Sequence, residues 1–486
     1  GASAQYGSDA IAGVINIVLK SDVNEMSGGM TTGAHKAKYN GTRKYDGEEF
    51  SAGSNYGFQV GNDGFLDWSI DYLRRGGTNR PGDLTKYVSY REQFGDAAAE
   101  NFATFFNAGI PSGTMSKFYA FGGVNFRHTD AYAWTRDPSS SRNVLSIYPN
   151  GFNPHITSNI TDPSLSFGFK TLENNWNIDF NNTFGLNRFH YIIDGTLNAS
   201  LGAASPTRFD AGGFSLLQNT SSVNLTKPFP DVMQGLNVAL GMEYRIENYQ
   251  IFAGEEGSWK GYGAIFSIDT TRDSLGNIAS IDTTLRPAGS QGFPGFRPEN
   301  EVDEVRTNLG MYADVELDVT KQWMLGAAAR FETYSDFGNT LNAKLATRYK
   351  INDMLALRGS VSSGFRAPSL AQIYFNSTFT DLVGGQAIDK FIAKNNSPIT
   401  RKLGIAPLKE ETANNFSIGF TATPVEDFSA TVDFYSVKIK DRIVLTGAFD
   451  QSDPDIGADL EALNVGAAQF FTNALDTKTT GVDVIL

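Results

Sequence analysis

A strict alternation of apolar and polar side chains over residues 308–319 constrains the fold of this chain more than any other feature of its sequence. The odd positions from Leu309 to Val319 are all apolar, and most of the even positions are polar. Successive side chains of a β-strand point to opposite faces, so this period of two predicts a strand with one apolar and one polar face. The pattern recurs over 323–332 and 341–351 with short polar turns between, which predicts an antiparallel meander.

Similar apolar rows occur along the rest of the chain, and their lengths distinguish a soluble β-sandwich from a transmembrane β-barrel. They cover residues 66–72, 176–186, 236–246, 416–422 and 428–434. Asn182 interrupts the second of these rows. A soluble β-sandwich would also alternate, but its strands usually have about 5 to 6 residues. A strand that crosses a membrane obliquely needs about 9 to 11, and the best rows here reach 11 or 12 residues. The lengths favour an all-β chain that forms a large antiparallel transmembrane β-barrel, whose polar faces line a wet lumen.

The ends of the rows and the connections between them fit the same barrel. Tyr244, Tyr334 and Tyr349 fall near strand ends, where a membrane barrel carries girdles of aromatic residues. Several connections are short, whereas others are long and rich in Gly, Ser, Asn and Pro. The long ones are residues 74–116, 137–163, 253–304 and 376–408. Since outer-membrane barrels combine short periplasmic turns with long external loops, these segments are predicted to be external and to carry ligand recognition.

Composition and motifs exclude several classes of function. No apolar run approaches the roughly 18 residues of a membrane-spanning helix. The chain has no cysteine, and its four histidines lack the spacing of zinc ligands. A net charge of -13 without a block of Lys and Arg argues against nucleic acid as a partner. No hydrolase, metalloprotease or phosphate-loop motif is present. The sequence therefore predicts no metal site, no cofactor and no enzymatic activity.

Two motifs give the chain a family resemblance. Residues 6–20 read YGSDAIAGVINIVLK, and residues 359–375 read GSVSSGFRAPSLAQIYF. Together they resemble the end of the plug domain and a barrel segment of TonB-dependent outer-membrane receptors. Further similar segments follow in order, namely SQGFPGFRPEN at 290–300, LKEETANNFSIGF at 408–420 and FTNALDTKTTGVDV at 471–484. Glu410 stands where this family usually has a proline, which weakens the match at that segment.

The resemblance implies that the chain is a fragment of such a receptor. Residues 1–20 are then the C-terminal end of the plug, 21–27 the linker, and 28–486 the transmembrane β-barrel, truncated before its last strands. Most of the plug is expected to be missing, and both ends look cut. The apolar run at 11–18 suits a strand that is covered on both faces. The plug signature consists of Tyr6, Gly7, Gly13, Val14, Asn16 and Ile17.

A second set of residues forms the barrel signature. It consists of Arg358, Gly364, Phe365, Arg366 and Pro368. Alternation places the two arginines on the lumenal side and Phe365 on the outside. Pro368 lacks the N–H group that a ladder needs, so strand pairing is predicted to stop near it. The arginines fit either a structural network of salt bridges or a path for an anionic ligand.

The resemblance also implies a function and partners. The external loops bind a scarce nutrient, most often a ferric siderophore, and TonB with ExbB and ExbD supplies the energy through an N-terminal box that is absent from this chain. Outer-membrane lipid and lipopolysaccharide surround such a barrel. Aromatic and cationic side chains in the predicted loops are suited to stacking on a siderophore, sugar or heme. These candidates are Trp134, Tyr148, Phe152, Trp259, Tyr262, Phe293, Phe296 and Arg297.

Two other functions stay open at the level of sequence. A passive outer-membrane porin would share the barrel but carry no plug, and a carbohydrate-binding adhesin could use a β-sandwich with similar alternation. A plug and a TonB box upstream of Gly1 would separate a receptor from a porin. Extraction from membranes without detergent would identify the adhesin.

Overall fold

The described part of the chain is dominated by β-strands. The computed structural model describes residues 7, 8, 10, 11, 14–39, 41–81, 92–275, 277–383, 386–463 and 465–486, and within these ranges it leaves aside the side chains of residues 279 and 380–387. Tyr6 and Gly13 of the plug signature lie outside the described residues.

The strands, numbered in chain order, give the architecture. They are β1 (Met26–Tyr39), β2 (Thr42–Val60), β3 (Gly64–Arg75), β4 (Ala98–Ser112), β5 (Ser116–Tyr132), β6 (His155–Glu173), β7 (Trp176–Asp194), β8 (Phe209–Phe229), β9 (Leu236–Phe252), β10 (Ile265–Arg272), β11 (Ile278–Leu285), β12 (Val302–Asp318), β13 (Trp323–Tyr334), β14 (Gly338–Asn352), β15 (Leu355–Arg366), β16 (Ser377–Val383), β17 (Gln386–Ile392), β18 (Glu411–Val425), β19 (Phe428–Leu445), β20 (Phe449–Asp450), β21 (Ala467–Gln469) and β22 (Phe471–Ile485). In the described residues, 16 of them form one sheet in the order β1 to β9, β12 to β15, β18, β19 and β22. Each pairs antiparallel with the next, which confirms the predicted meander, and β1 and β22 form the two edges.

The remaining elements lie in the long connections at one end of the sheet. A hairpin of β10 and β11 stands in one connection, and a small sheet in the order β16, β17, β21, β20 joins two others. The α-helices are α1 (Glu256–Trp259), α2 (Leu370–Tyr374), α3 (Pro398–Lys402) and α4 (Gly457–Ala462), and short 3-10 helices cover Ala199–Ala204 and Pro298–Asn300. Within the described ranges, no helix is long and apolar enough to cross a membrane.

The two faces of the large sheet have opposite chemistry. On β12 the outward side chain of Met311 is 49% exposed, whereas the inward residues Arg306 and Asn308 are 4% and 2% exposed. The exposed apolar residues thus lie on the outer face, and polar and charged residues are buried on the inner one. A soluble sandwich buries its apolar face, so this arrangement rules it out and confirms a transmembrane barrel.

The aromatic girdle is confirmed in part. Tyr244 is 45% exposed and Tyr349 is 50% exposed, and both lie on the outer face. The prediction that Tyr334 belongs to the aromatic girdle is wrong. Tyr334 has the same parity as the inward Glu332, and it is only 6% exposed. Its ring packs in a cluster with Phe365 at the inner wall.

Two predicted loop boundaries are also wrong. β4 lies within the segment 74–116, and β6 begins inside the segment 137–163. The alternation of β4 is interrupted because Phe105, an aromatic residue, occupies the inward parity opposite Ser69. Thr104, a polar residue, also lies on the outward row of β4 opposite Ile70, and these exceptions together hid a membrane strand.

Residues 14–20 do not form the predicted buried strand. Val14 is 47% exposed and Ile17 is 77% exposed, and Asn16 is exposed as well. No described strand pairs with this segment. Because backbone N–H and C=O groups of a strand need a neighbouring strand, the apolar run alone does not establish one.

Ser8 and Ile11, which precede that segment, do contact the inner wall. The backbone N–H of Ala367 donates to Ser8 Oγ over 3.2 Å, and the side-chain amide of Asn415 donates to the carbonyl oxygen of Ile11 over 3.0 Å. Ser8 and Ile11 are therefore held against the end of β15 and against β18.

Candidate ligand-binding cavity

Long connections meet at one end of the barrel and pack on each other. Residues 133–154 and 195–208 share a hydrophobic cluster that includes Phe152, Val144 and Leu197. The connections 367–410 and 446–470 are joined where β17 runs parallel to β21, with Lys390 opposite Ala467. These contacts build an ordered assembly of loops on the barrel.

A cavity of about 690 Å³ opens within this assembly. Four connections line it, and their charged side chains are Arg142, Arg286 and Asp389. Its volume falls within the roughly 300–1,000 Å³ typical of small-molecule sites. The backbone of Gly261, Gly263 and Gly466 also borders the cavity, so part of its wall carries no side chain.

Two arginines converge on one amide behind this cavity. Arg136 Nε donates to Gln291 Oε1 over 3.0 Å, and Arg142 Nη1 donates to the same oxygen over 3.3 Å. Arg142 Nη2 also forms an ion pair with Asp389 Oδ1 at 3.3 Å. Arg136 is 5% exposed, and its burial together with the nearby Arg142 lowers its pKa to about 10. It therefore stays protonated at neutral pH, and the back of the cavity is cationic.

Arg286 ties one wall of the cavity to another. Its Nη1 donates to the carbonyl oxygens of Ser141 (3.2 Å) and Asn143, and its Cζ atom lies 5.3 Å from the ring centre of Phe266. The guanidinium group thus holds the connection 253–301 against the connection 133–154. It also adds a second positive charge to the lining.

Two of the sequence-predicted loop residues border a smaller cavity nearby. This cavity has a volume of about 250 Å³, and Trp259, Arg297 and the cavity-lining Asp389 contribute to its wall. Tyr262 lies beside it in sequence, is 42% exposed, and donates its hydroxyl to Glu256 Oε1 over 3.3 Å. The structure therefore brings Trp259 and Arg297 together, as a ligand contact requires.

Other predicted ligand contacts are placed differently. Phe152 and Phe296 are 6% and 1% exposed and pack within the loops, and their role as ligand contacts stays a prediction. Tyr148 stacks on Phe152 at 4.5 Å between ring centres, and Phe293 packs against Phe296 at 5.4 Å. Trp134, half-buried, offers its carbonyl oxygen to Arg136 Nη1 over 2.7 Å. Aromatic residues in loops here mainly stabilise the loops.

The barrel signature lies at the inner wall. Arg358 Nε donates to Asp433 Oδ1 over 2.9 Å, which makes this arginine part of an inner salt bridge. The ladder of β15 ends at Arg366, a half-buried residue, two positions before Pro368, as predicted. The carbonyl oxygen of Pro368 accepts a hydrogen bond from Arg306 over 2.6 Å.

Phe365 does not point outward as its parity predicts. Phe365 is 2% exposed, and its neighbour Gly364 is buried as well. The ring centre of Phe365 lies 6.1 Å from that of Tyr334. Pairing between β14 and β15 stops at Ser362. Beyond that point the strand has a ladder on one side only, which frees it to turn Phe365 toward the interior.

A buried ionic network on the inner wall was not predicted from the sequence. Arg330, 2% exposed, pairs with Glu332, which is 1% exposed, and its Nη2 lies 3.5 Å from Glu243 Oε1. Gly7 rests on this pair with a φ of 79°, and a Cβ atom there would lie 2.8 Å from Glu332 Oε1. Glycine therefore fits both the space and the left-handed backbone at this position.

A family comparison decides what kind of barrel carries these features. Residues 104–486 match the model of the family described as TonB dependent receptor-like, beta-barrel. The chain belongs to the TonB-dependent receptor family. TonB-dependent receptors are outer-membrane proteins, and the exposed apolar outer face of this sheet is the surface that such a membrane covers. The family is one of receptors and transporters.

Solved structures of TonB-dependent receptors share the fold. The siderophore receptor PirA from Pseudomonas aeruginosa is 13% identical, with a TM-score of 0.62, and the alignment covers 99% of this chain and 67% of PirA. PirA from Acinetobacter baumannii is 15% identical, with a TM-score of 0.64 and coverages of 99% and 62%. The ferric-catecholate import receptor Fiu from Escherichia coli K12 is 12% identical, with a TM-score of 0.55 and coverages of 99% and 65%.

At these identities the similarity shows the fold of the receptor. The present chain spans about two thirds of the length of these structures. No curated protein sequence matches it.

The residues of the large cavity carry no local signal in the sequence. Arg142, Arg286 and Asp389 come from three different connections and are more than 100 residues apart from one another. The fold alone brings them together.

Proposed function

We propose that this chain is the barrel of an active importer that captures an anionic ferric siderophore in its loop cavity. The observation that carries the proposal is the excess of arginine in the cavity wall. Arg142 and Arg286 line it against the single carboxylate of Asp389, and the buried Arg136 stands behind them. Guanidinium groups are the preferred partners of planar oxyanions, because they donate two parallel hydrogen bonds.

The chemistry of a ferric catecholate fits this wall. Such a complex is negatively charged, because its catecholate oxygens carry more charge than the Fe³⁺ that they bind. The aromatic catechol rings can stack on guanidinium planes or on the indole of Trp259 in the smaller cavity. The similar structures include a siderophore receptor and a ferric-catecholate import receptor, and this supports the choice of cargo.

The remaining features of the proposal concern partners and domains. TonB, with ExbB and ExbD, is proposed to supply the energy for import through an N-terminal box. Outer-membrane lipid and lipopolysaccharide are proposed to surround the barrel. Residues 1–20 are proposed as the end of the plug, 21–27 as the linker and 28–486 as the barrel. The contact of Gly7 with the Arg330 and Glu332 pair supports a plug that docks on the inner wall. We propose a transport role without enzymatic activity.

Substitution of Arg142 by glutamine tests the cavity. We expect the dissociation constant of a ferric catecholate to rise about tenfold or more, because a charge-assisted hydrogen bond is lost in a partly buried site. The measurement is quenching of tryptophan fluorescence in the purified full-length receptor. Arg208→Gln is the matched control, since this arginine is exposed and lies outside the cavity lining. Equal affinities of wild type and Arg142→Gln would contradict the assignment of this cavity.

A further inference from the structure

A hydrogen-bonded cluster of three polar side chains lies on the outer face of β7 and β8. Asn182 lies on β7, and Asn219 and Ser221 lie on β8, where Ser221 is directly opposite Asn182. Their neighbours on the same outward rows are apolar, as shown by Phe180 at 50% and Met242 at 47% exposure. Polar groups on a lipid-facing surface are costly, so their presence calls for a function.

The position of this cluster along β7 puts it deep in the membrane. Asn182 is six residues after Trp176, which begins the strand, and six residues before Arg188, an exposed charged residue on the same outward row. Tryptophan marks the membrane interface, and an exposed arginine marks the end of the apolar band. The cluster therefore lies midway, below the level at which lipid headgroups and their ester oxygens are found.

The hydrogen bonds within the cluster leave part of its capacity unused. Asn182 Nδ2 donates to Asn219 Oδ1 over 3.0 Å and to Ser221 Oγ over 2.9 Å, and Asn219 Nδ2 donates back to Asn182 Oδ1 over 3.1 Å. An amide has two donor hydrogens, and a hydroxyl donates one and accepts. These bonds leave one amide hydrogen of Asn219 and the hydroxyl hydrogen of Ser221 free to donate, with acceptor lone pairs beside them. The cluster is thus complementary to a surface with the same groups.

An apolar groove adjoins the cluster on the same outer face. Its volume is about 750 Å³, and small and large side chains alternate in its wall. They include Ala108, Ala120, Phe118, Phe167 and Phe180. Small residues permit close approach of a second protein surface within a membrane, where packing and interchain hydrogen bonds drive association.

We propose that this face is the interface between two copies of this chain, related by a two-fold axis along the membrane normal. Copies inserted in the same orientation hold Asn182, Asn219 and Ser221 at the same depth, so the free donors of one meet the acceptors of the other. A two-fold interface uses the same patch on both subunits and therefore needs a self-complementary surface. The depth of the cluster excludes lipid ester groups as the partner. The inference rests on the outer-membrane fold and is independent of the cargo.

Cysteine cross-linking in native outer membranes tests this interface. The chain has no cysteine, so Ser221→Cys introduces one thiol at the proposed axis. We expect oxidation with copper phenanthroline to give a disulfide-linked dimer of the full-length receptor. Ile418→Cys is the matched control, since Ile418 is 55% exposed on the outward face of β18, far from the groove in the order of strands. The proposal is overturned if both variants give a dimer band or if neither does. It is also overturned if Ser221→Cys forms a cross-link to a different protein.

A second measurement does not depend on cross-linking. The triple variant Asn182→Leu, Asn219→Leu and Ser221→Ala keeps the outer face apolar, so insertion should be retained. We expect its dimer to dissociate about tenfold more readily in detergent by analytical ultracentrifugation, since polar contacts across membrane interfaces are lost. A wild-type receptor that is monomeric at all concentrations, or a triple variant that dimerises as well as wild type, overturns the proposal.

Discussion

Replacement of Arg330 by methionine is expected to lower the free energy of unfolding of the barrel by about 3–5 kcal/mol. Arg330 is 2% exposed, and Glu332 and Glu243 both lie against its guanidinium group. Methionine fills much of the same space but leaves Glu332 without its cation, whereas Glu243 keeps its ion pair with Arg245 at 2.9 Å. A buried charge without a partner costs far more than the pair contributes when intact. Urea unfolding of the protein refolded in lipid vesicles measures the change.

Arg358→Met is the control for that substitution. Arg358 also forms an ion pair on the inner wall, with Asp433, but its side chain is 49% exposed. Because water screens an exposed pair, we expect a loss of only about 0–1 kcal/mol. Equal losses for the two variants would show that the Arg330 network is not buried as described.

Replacement of Leu345 by arginine is expected to lower the free energy of unfolding by about 2–4 kcal/mol, because it places a charge on the lipid-facing surface. Leu345 is 60% exposed on the outward face of β14. The same change at Leu275, which is 84% exposed at the tip of the β10 and β11 hairpin, is the control. Exposure is comparable at the two sites, but only one faces lipid.

Unfolding from lipid vesicles distinguishes these two substitutions. We expect Leu275→Arg to unfold within about 0.5 kcal/mol of wild type, as surface substitutions in water usually do. A Leu345→Arg variant as stable as Leu275→Arg would mean that the outer face of β14 is not in contact with lipid.

The sequence predicted the barrel because the signal for a membrane strand is local. In β12 the apolar or polar type of each side chain indicates the face to which it points. Met311 could be assigned to the outer face and Asn308 to the inner face from their parity alone. The same reasoning failed where a side chain did not follow the alternation of apolar and polar residues. Phe105 on the lumenal face and Thr104 on the outer face hid β4, and Phe365 turned inward where β15 lost one of its neighbours.

The site was much less accessible to prediction. The type of a loop residue does not distinguish a ligand contact from packing, and Phe152 and Phe296 proved to be buried within the loops. Arg142 and Asp389 meet only because two distant connections are folded over the same end of the barrel. The run at 14–20 shows the same limit, since its burial depends on neighbouring strands rather than on its own apolar residues.

Uptake of radiolabelled iron as a ferric catecholate tests the central claim most directly. The measurement uses cells in which the full-length receptor is the only route for this complex, with and without TonB. We expect uptake to be saturable and to stop when TonB is removed, because import against a gradient needs energy from the inner membrane. Uptake that continues unchanged without TonB and rises linearly with concentration would identify a passive channel and contradict the account.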